Sequence, residues 1–258
     1  MSEPVLLSHR DGGVATLTLN RPAARNALSQ ALMAALADAL TTLAKEPAIK
    51  VIVLAANGPV FSAGHDLKEM RAHPDHAFQA ALFRQCSDLM LQLTRQPQPI
   101  LARVHWMATA AGCQLVATCD LAIAGRSARF ATPGVDIGLF CSTPMVALTR
   151  SIGAKPALEM LYTGLPVDAE TAARIGLVTR MVEDADLDQA ITDLAGRIAS
   201  KSRRTLSIGK EAFWRQRDLP LQAAYSYAAE VMAANMTTAA AAEGIDAFIA
   251  KRSPCWPE

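Results

Sequence analysis

The chain has 258 residues, 51% of them apolar and 19% charged, with 25 Lys and Arg against 24 Asp and Glu for a formal charge of +1. That balance gives no reason to expect nucleic acid or an anionic membrane as partner. No uninterrupted apolar run reaches the ~20 residues of a membrane span, so the composition is that of one globular domain, or a core with an appendage.

In chain order, residues 5–9 and 14–20 flank "RDGG" and predict a β-hairpin, in which Ala15, Leu17 and Leu19 alternate with polar partners. Ser29 is a good N-cap for a helix that brings Leu32, Leu36, Leu40 and Leu43 onto one face. "IKVIVLAA" (49–56) is apolar throughout, as in a strand covered on both sides. "NGPVFSAGHD" reads as a loop, with a helix expected over 77–95. "PILARVHW" is the next buried strand, followed by a turn and a helix from near Ala111, and then by a short strand at 120–125. This alternation predicts an α/β core. From about residue 143 strands become rare, and "AKPALEMLYTG", "DAETAARIG", "DLDQAITDLAGRIASK" and 219–251 read as helical. The expected division is a core over 1–200 and a helical region over 201–258 that packs on the core or on a neighbouring subunit.

Five cysteines (Cys86, Cys113, Cys119, Cys141, Cys255) are scattered, with no C-x-x-C pair. They are expected to be reduced thiols in a reducing compartment. "MSEPVLLSHRDGG" lacks the basic-then-apolar pattern of a secretory signal, and the expected location is cytoplasmic.

Two short stretches bear on chemistry. In "FSAGHDLKEM", Gly64 permits a tight turn after a buried strand and leaves the His65 N–H pointing outward. Ala110-Ala111-Gly112 stands at a helix start, where unpaired N–H groups and the helix dipole attract developing negative charge. Taken singly, each is also an ordinary connection or close-packing device. Together they are the parts of an oxyanion hole.

"NRPAARNALS", "FSAGHDLKEM", "AAGCQLVATCDLAIAG", "FATPGVDIGL", "KPALEMLYTGLPVDAETAARIGLVTRMV" and the ending "EGIDAFIAKR" follow one another in an order and spacing that resemble the crotonase (enoyl-CoA hydratase/isomerase) superfamily. The resemblance covers nearly the whole chain. It implies an α/β fold of the ClpP/crotonase type, a spiral of strand–strand–helix turns with a helical C-terminal region that builds homotrimers, often paired into hexamers. It also implies an acyl-CoA thioester as ligand, with coenzyme A entering only as part of the substrate and no separate cofactor or metal. The thioester oxygen maps onto the backbone N–H groups of His65 and Ala111. Arg25, Ala27, Ala63, Asp66, Leu67 and Lys68 map onto the wall around the nucleotide and pantetheine arm, and Lys251 or Arg252 would reach in from the tail.

The departures concern proton transfer. Family hydratases hold a water between two glutamates, and the matching positions here are Gln114 and Gly134. A glutamine amide orients water but neither takes up nor releases a proton near neutral pH. A positioned general acid or base is worth ~10²–10⁴ in rate, so ordinary hydration is expected to be weak or absent. Asp136 and Ser142 are candidate replacements, with a loop-anchoring carboxylate as the plainer reading of Asp136. Cys141 reads first as an inert buried thiol, His105 as a strand histidine bonded to backbone, and the His65 imidazole as solvent-facing. His73 and His76 have generic spacing and no third ligand, so no metal is expected. Three readings stay open: an enzyme with altered chemistry, a non-catalytic CoA-ester-binding trimer, and another acyl-CoA reaction such as thioester hydrolysis or double-bond isomerisation.

Overall fold

A computed structural model describes residues 3–257. The hairpin is formed by β1 (Leu6–Asp11) and β2 (Val14–Leu19), paired antiparallel from Leu6↔Leu19 to Asp11↔Val14. Helix α1 (Gln30–Ala44) starts where its cap requires, with Ser29 Oγ accepting the Leu32 N–H at 3.3 Å, and buries Leu32, Met33, Leu36, Leu40 and Leu43. Strand β3 (Val51–Ala56) is wholly buried. After it come α2 (Leu67–Ala72), a short helix between the expected loop and the expected helix that the sequence reading did not identify, and α3 (His76–Arg95).

The next turns of chain repeat one pattern. β4 (Ile100–Val104), β5 (Met107–Thr109) and α4 (Ala111–Thr118) are followed by β6 (Leu121–Gly125), β7 (Arg129–Ala131) and α5 (Ser142–Ser151). The first strand of each pair joins a six-stranded sheet of order β1-β2-β3-β4-β6-β9, closed by β9 (Arg180–Val182), and the second joins a three-stranded sheet of order β5-β7-β8, closed by β8 (Val167–Asp168). This is the strand–strand–helix spiral that the resemblance implies. The remainder is α6 (Ala154–Thr163), β8 (Val167–Asp168), α7 (Ala169–Ile175), β9 (Arg180–Val182), α8 (Leu187–Ala199), α9 (Arg203–Gln216), α10 (Leu221–Met236) and α11 (Ala239–Ile249).

The two faces of the large sheet are covered differently. Val51, Val53, Leu101 and Ile123 meet Leu187, Ile191 and Ala195 of α8, whereas Ile52, Leu54 and Ala102 enter the main core with α1, α3 and α4. Alternate residues of β3 therefore serve two cores, which is why it reads as apolar throughout. On the main-core side, α9 is fastened by an ion pair between a buried lysine and a half-buried aspartate. Lys210 Nζ donates to Asp120 Oδ2 at 2.6 Å and to the carbonyls of Leu93 and Gln98, while Trp214 Nε1 donates to Asp120 Oδ1 at 3.2 Å. Helices α10 and α11 leave apolar side chains outside, among them Leu221, Tyr225, Met232, Phe248 and Ile249, and α10 buries no residue.

Candidate active site

Two glycines bring the stretches 61–66 and 108–114 together. A Cβ on Gly64, whose φ is +86°, would stand 2.8 Å from Ala110 Cβ and 3.2 Å from Ala111 N. A Cβ on Gly112 would stand 2.5 Å from Ser62 O. Neither contact tolerates a side chain, so the first turn of α4 rests directly on the loop after β3. Backbone bonds lace the loop to its surroundings: Thr109 N–H donates to Ser62 O, Ala63 N–H to Arg25 O, and Leu28 N–H to Gly64 O. Ser62 Oγ donates to Asn26 O at 2.9 Å, and buried Asn26 donates through Nδ2 to Asn57 O and Val60 O. Asn26 and Ser62 are the positioning residues that the sequence reading did not single out.

At the meeting point, the N–H groups of His65 and Ala111 have no acceptor among the described residues, although every flanking amide from Phe61 to Gly64 and that of Ala110 has one. Ala111 is fully buried at the first position of α4, where its N–H, like those of Gly112 and Cys113, is a helix-start donor that no carbonyl of the helix accepts. Ala110 just before it adopts φ 50° and ψ −119°, a conformation that L-residues avoid at a cost of ~1–3 kcal/mol. The Ala110 N–H bond to Ala131 O at 2.9 Å holds that geometry and directs the Ala111 amide out of the helix start.

One turn into α4, Gln114 is 3% exposed, and its Oε1 faces the Cys86 thiol at 4.0 Å. Burial pushes the Cys86 thiol up to about 12, so it stays protonated beside the amide. Behind Gln114 a cavity of about 1000 Å³ opens between α3, α4, α5 and α9, with Met90, Leu91, Val146, Arg150 and Trp214 in its wall. The space around Gly134 is filled. A Cβ there would lie 2.7 Å from Leu139 O and 2.9 Å from Cys141 Sγ. Cys141 is buried and burial raises its pKa, the behaviour of an inert thiol. Asp136 is exposed, with its carboxylate lying against Gly164, and exposed Ser142 donates to Phe140 O at 3.3 Å. No contact joins either of them to the pair of amides among the described residues.

The His65 ring departs from the solvent-facing expectation. It packs edge-on against Phe83 of α3 at 5.2 Å, its Nε2 is buried with no hydrogen-bond partner, and burial pulls its pKa down to about 4. His105 lies just past the end of β4 rather than within a strand; its Nε2 meets Gly58 O at 2.9 Å, a backbone bond as expected, but its Nδ1 is buried and unpartnered. His73 stacks on Phe78.

Of the residues mapped to the wall, Arg25, Leu67 and Lys68 are exposed and Ala63 is half-buried beside them. Ala27 is buried, and its carbonyl accepts from Arg21 Nη1 at 2.6 Å. Asp66 caps α2 through the Lys68 and Glu69 amides and pairs with Arg21 at 3.0 Å, so its carboxylate is already engaged. Arg252 is likewise engaged, in a two-bond pair with Glu243.

The family described as enoyl-CoA hydratase/isomerase matches this chain over residues 9–258. The chain belongs to the enoyl-CoA hydratase/isomerase family. Among its members, the chain is 45% identical over 256 residues to the rat protein named enoyl-CoA hydratase domain-containing protein 3, mitochondrial, with 99% of this chain and 85% of that one covered. A crystal structure of an enoyl-CoA hydratase from Mycobacterium smegmatis superposes with a TM-score of 0.96 at 52% identity, covering 98% of this chain and 99% of that one. The human enoyl-CoA hydratase domain-containing protein 3 superposes with a TM-score of 0.95 at 42% identity, covering 98% and 100%. The spiral is thus the crotonase fold.

Proposed function

We propose that the chain binds acyl-CoA thioesters and polarises the thioester carbonyl between the amides of His65 and Ala111. The observation that carries this reading is the pair of unpartnered N–H groups on two turns held in contact at Gly64. Donors fixed before the ligand arrives need no reorganisation as charge grows on the oxygen, and each is worth ~10²–10³ in rate. Arg25 and Lys68, exposed on the rim, are the cations offered to the phosphates of the coenzyme A arm, with Ala63 and Leu67 along the pantetheine. The cavity behind Gln114 offers room for an acyl chain.

Ordinary hydration of an enoyl thioester is weak or absent in this reading, because Gln114 cannot titrate and the space at Gly134 is occupied by Cys141 and the Leu139 carbonyl. Neither Asp136 nor Ser142 is given the missing role. Self-association as a homotrimer, or as two trimers, is supported by the apolar side chains left exposed along α10 and α11. A cytoplasmic location is supported only by the five free thiols, and the rat relative carries "mitochondrial" in its name.

The test is a panel of enoyl-, 3-hydroxyacyl- and saturated acyl-CoA thioesters offered to the purified protein. The expected result is a rise in melting temperature with thioesters that free coenzyme A does not match, slow or no conversion of crotonyl-CoA, and faster conversion by Gln114→Glu. A protein whose melting temperature no thioester moves contradicts the binding reading. Rapid hydration by a Gln114→Ala variant contradicts the account of the missing carboxylates.

A further inference from the structure

Gln114 brings a polar side chain to the wall of the cavity and spends only half of it on the protein. The residue is 3% exposed and lines the cavity together with Ala117 and Thr118 of its own helix. Its Oε1 faces the Cys86 thiol at 4.0 Å. Burial keeps that thiol protonated, so its S–H is the donor and the amide oxygen the acceptor. The two N–H bonds of Nε2 are thereby turned away from α3. They donate to nothing among the described residues, yet the nitrogen is not sealed off as the His65 ring nitrogen is, and it borders the cavity. Helix geometry sets this donor beside the amide pair. Residues three apart share a helix face, with Cβ atoms ~5–6 Å apart, and side chains lean toward the helix N-terminus. The Gln114 side chain therefore lies over the turn that begins at Ala111, whose N–H faces the proposed thioester oxygen. A second oxygen on the third carbon of an acyl group lies ~3–5 Å from the thioester oxygen, so the acceptor spacing matches the donor spacing.

We propose that Gln114 selects 3-oxoacyl thioesters, its Nε2 donating to the C3 carbonyl oxygen while the amides of His65 and Ala111 hold the thioester oxygen. The proposal rests on the thioester-binding reading above. A ketone oxygen only accepts, which matches a group left with donors only. A 3-hydroxyl brings a proton of its own, and Oε1 is already taken by the thiol. An enoyl or saturated chain has no oxygen there and would leave Nε2 stripped of water and unbonded. That is how a site built around a hydrogen bond rejects an analogue lacking the partner atom. A carboxylate at this position would turn lone pairs toward the ketone at neutral pH, so the amide accepts a ligand that a glutamate repels.

The test measures, by isothermal titration calorimetry, the affinities of acetoacetyl-CoA, 3-hydroxybutyryl-CoA and butyryl-CoA, thioesters of one chain length that differ only at C3. Wild-type protein is expected to bind acetoacetyl-CoA about tenfold more tightly than butyryl-CoA, the yield of one hydrogen bond in a water-poor site, with 3-hydroxybutyryl-CoA in between. Gln114→Leu is expected to bring acetoacetyl-CoA to within about twofold of butyryl-CoA by weakening the first and sparing the second. Gln114→Met serves as a second variant of similar volume should the Leu protein fold poorly. A preference for acetoacetyl-CoA that survives in either folded variant overturns the proposal, and so does 3-hydroxybutyryl-CoA binding as tightly as acetoacetyl-CoA. Equal wild-type affinities for acetoacetyl-CoA and butyryl-CoA overturn it as well, while leaving the thioester-binding reading in place. A wild-type protein that binds none of the three overturns both.

Discussion

At the scale of single residues, the departures at 114 and 134 are of different kinds. Gln114 has the length of a glutamate without its titration, so Gln114→Glu introduces no extra volume. At position 134 a Cβ would lie 2.7 Å from Leu139 O and 2.9 Å from Cys141 Sγ. Gly134→Ala is expected to lower stability by ~1–3 kcal/mol, read as a lower urea midpoint with unchanged slope. Adding Cys141→Ala is expected to recover only part of that loss, since the Leu139 carbonyl stays in place. Full stability in Gly134→Ala would contradict the packing described. His65 gives a second prediction. Its pKa in the folded chain is about 4 against an ordinary 6.5, so on acidification the unfolded chain takes up the proton first. Stability is expected to be intact above pH 6.5 and to fall as the pH drops toward 4, by about 3 kcal/mol in all. Burial of His105 acts in the same direction. Urea titrations across that window should show a flatter decline for His65→Gln, and a decline identical to wild type would contradict the buried, uncharged ring.

At the scale of elements, legibility followed periodicity. The spacing of Leu32, Leu36, Leu40 and Leu43 and the cap at Ser29 identified α1, and the unbroken apolar run identified β3. Among the elements without such a signal are β7, β8 and α9. β7 and β8 are only three and two residues long, too short to alternate. Helix α9, "RRTLSIGKEAFWRQ", is rich in charge and buries Lys210, so its inward face does not look apolar. That helix is held by a contact between residues 90 positions apart, which local pattern does not reveal. Lys210→Met is expected to leave the half-buried Asp120 carboxylate without its cation and to cost ~1–3 kcal/mol, measured by urea denaturation. Asp120→Asn in the same chain should restore part of it. A loss below ~1 kcal/mol for Lys210→Met would show that α9 is held by its apolar contacts instead.

At the scale of the whole molecule, the site is a product of the spiral. Loop 61–66 and the start of α4 come from successive turns of chain, and each turn alone is an ordinary strand-to-helix connection. Their motifs were legible because "SAGHD" and "AAGCQ" each hold the glycine that a close approach needs. The approach itself, Gly64 on Ala110 and Gly112 on Ser62, belongs to the packed sheets. So does the fate of the His65 ring, which sequence leaves free to point outward and which packing turns against Phe83. The mapped cations fared unevenly for a similar reason: Lys68 stays exposed, whereas Arg252 is occupied by Glu243, a partner that cannot be chosen from order alone. The central claim is that two main-chain amides grip one carbonyl oxygen, and it is tested most directly by isotope-edited infrared spectroscopy of butyryl-CoA labelled with ¹³C at the thioester carbon. The expected result is a lower carbonyl stretching frequency on binding, preserved in His65→Gln. A bound thioester whose carbonyl absorbs where it does in water would contradict it.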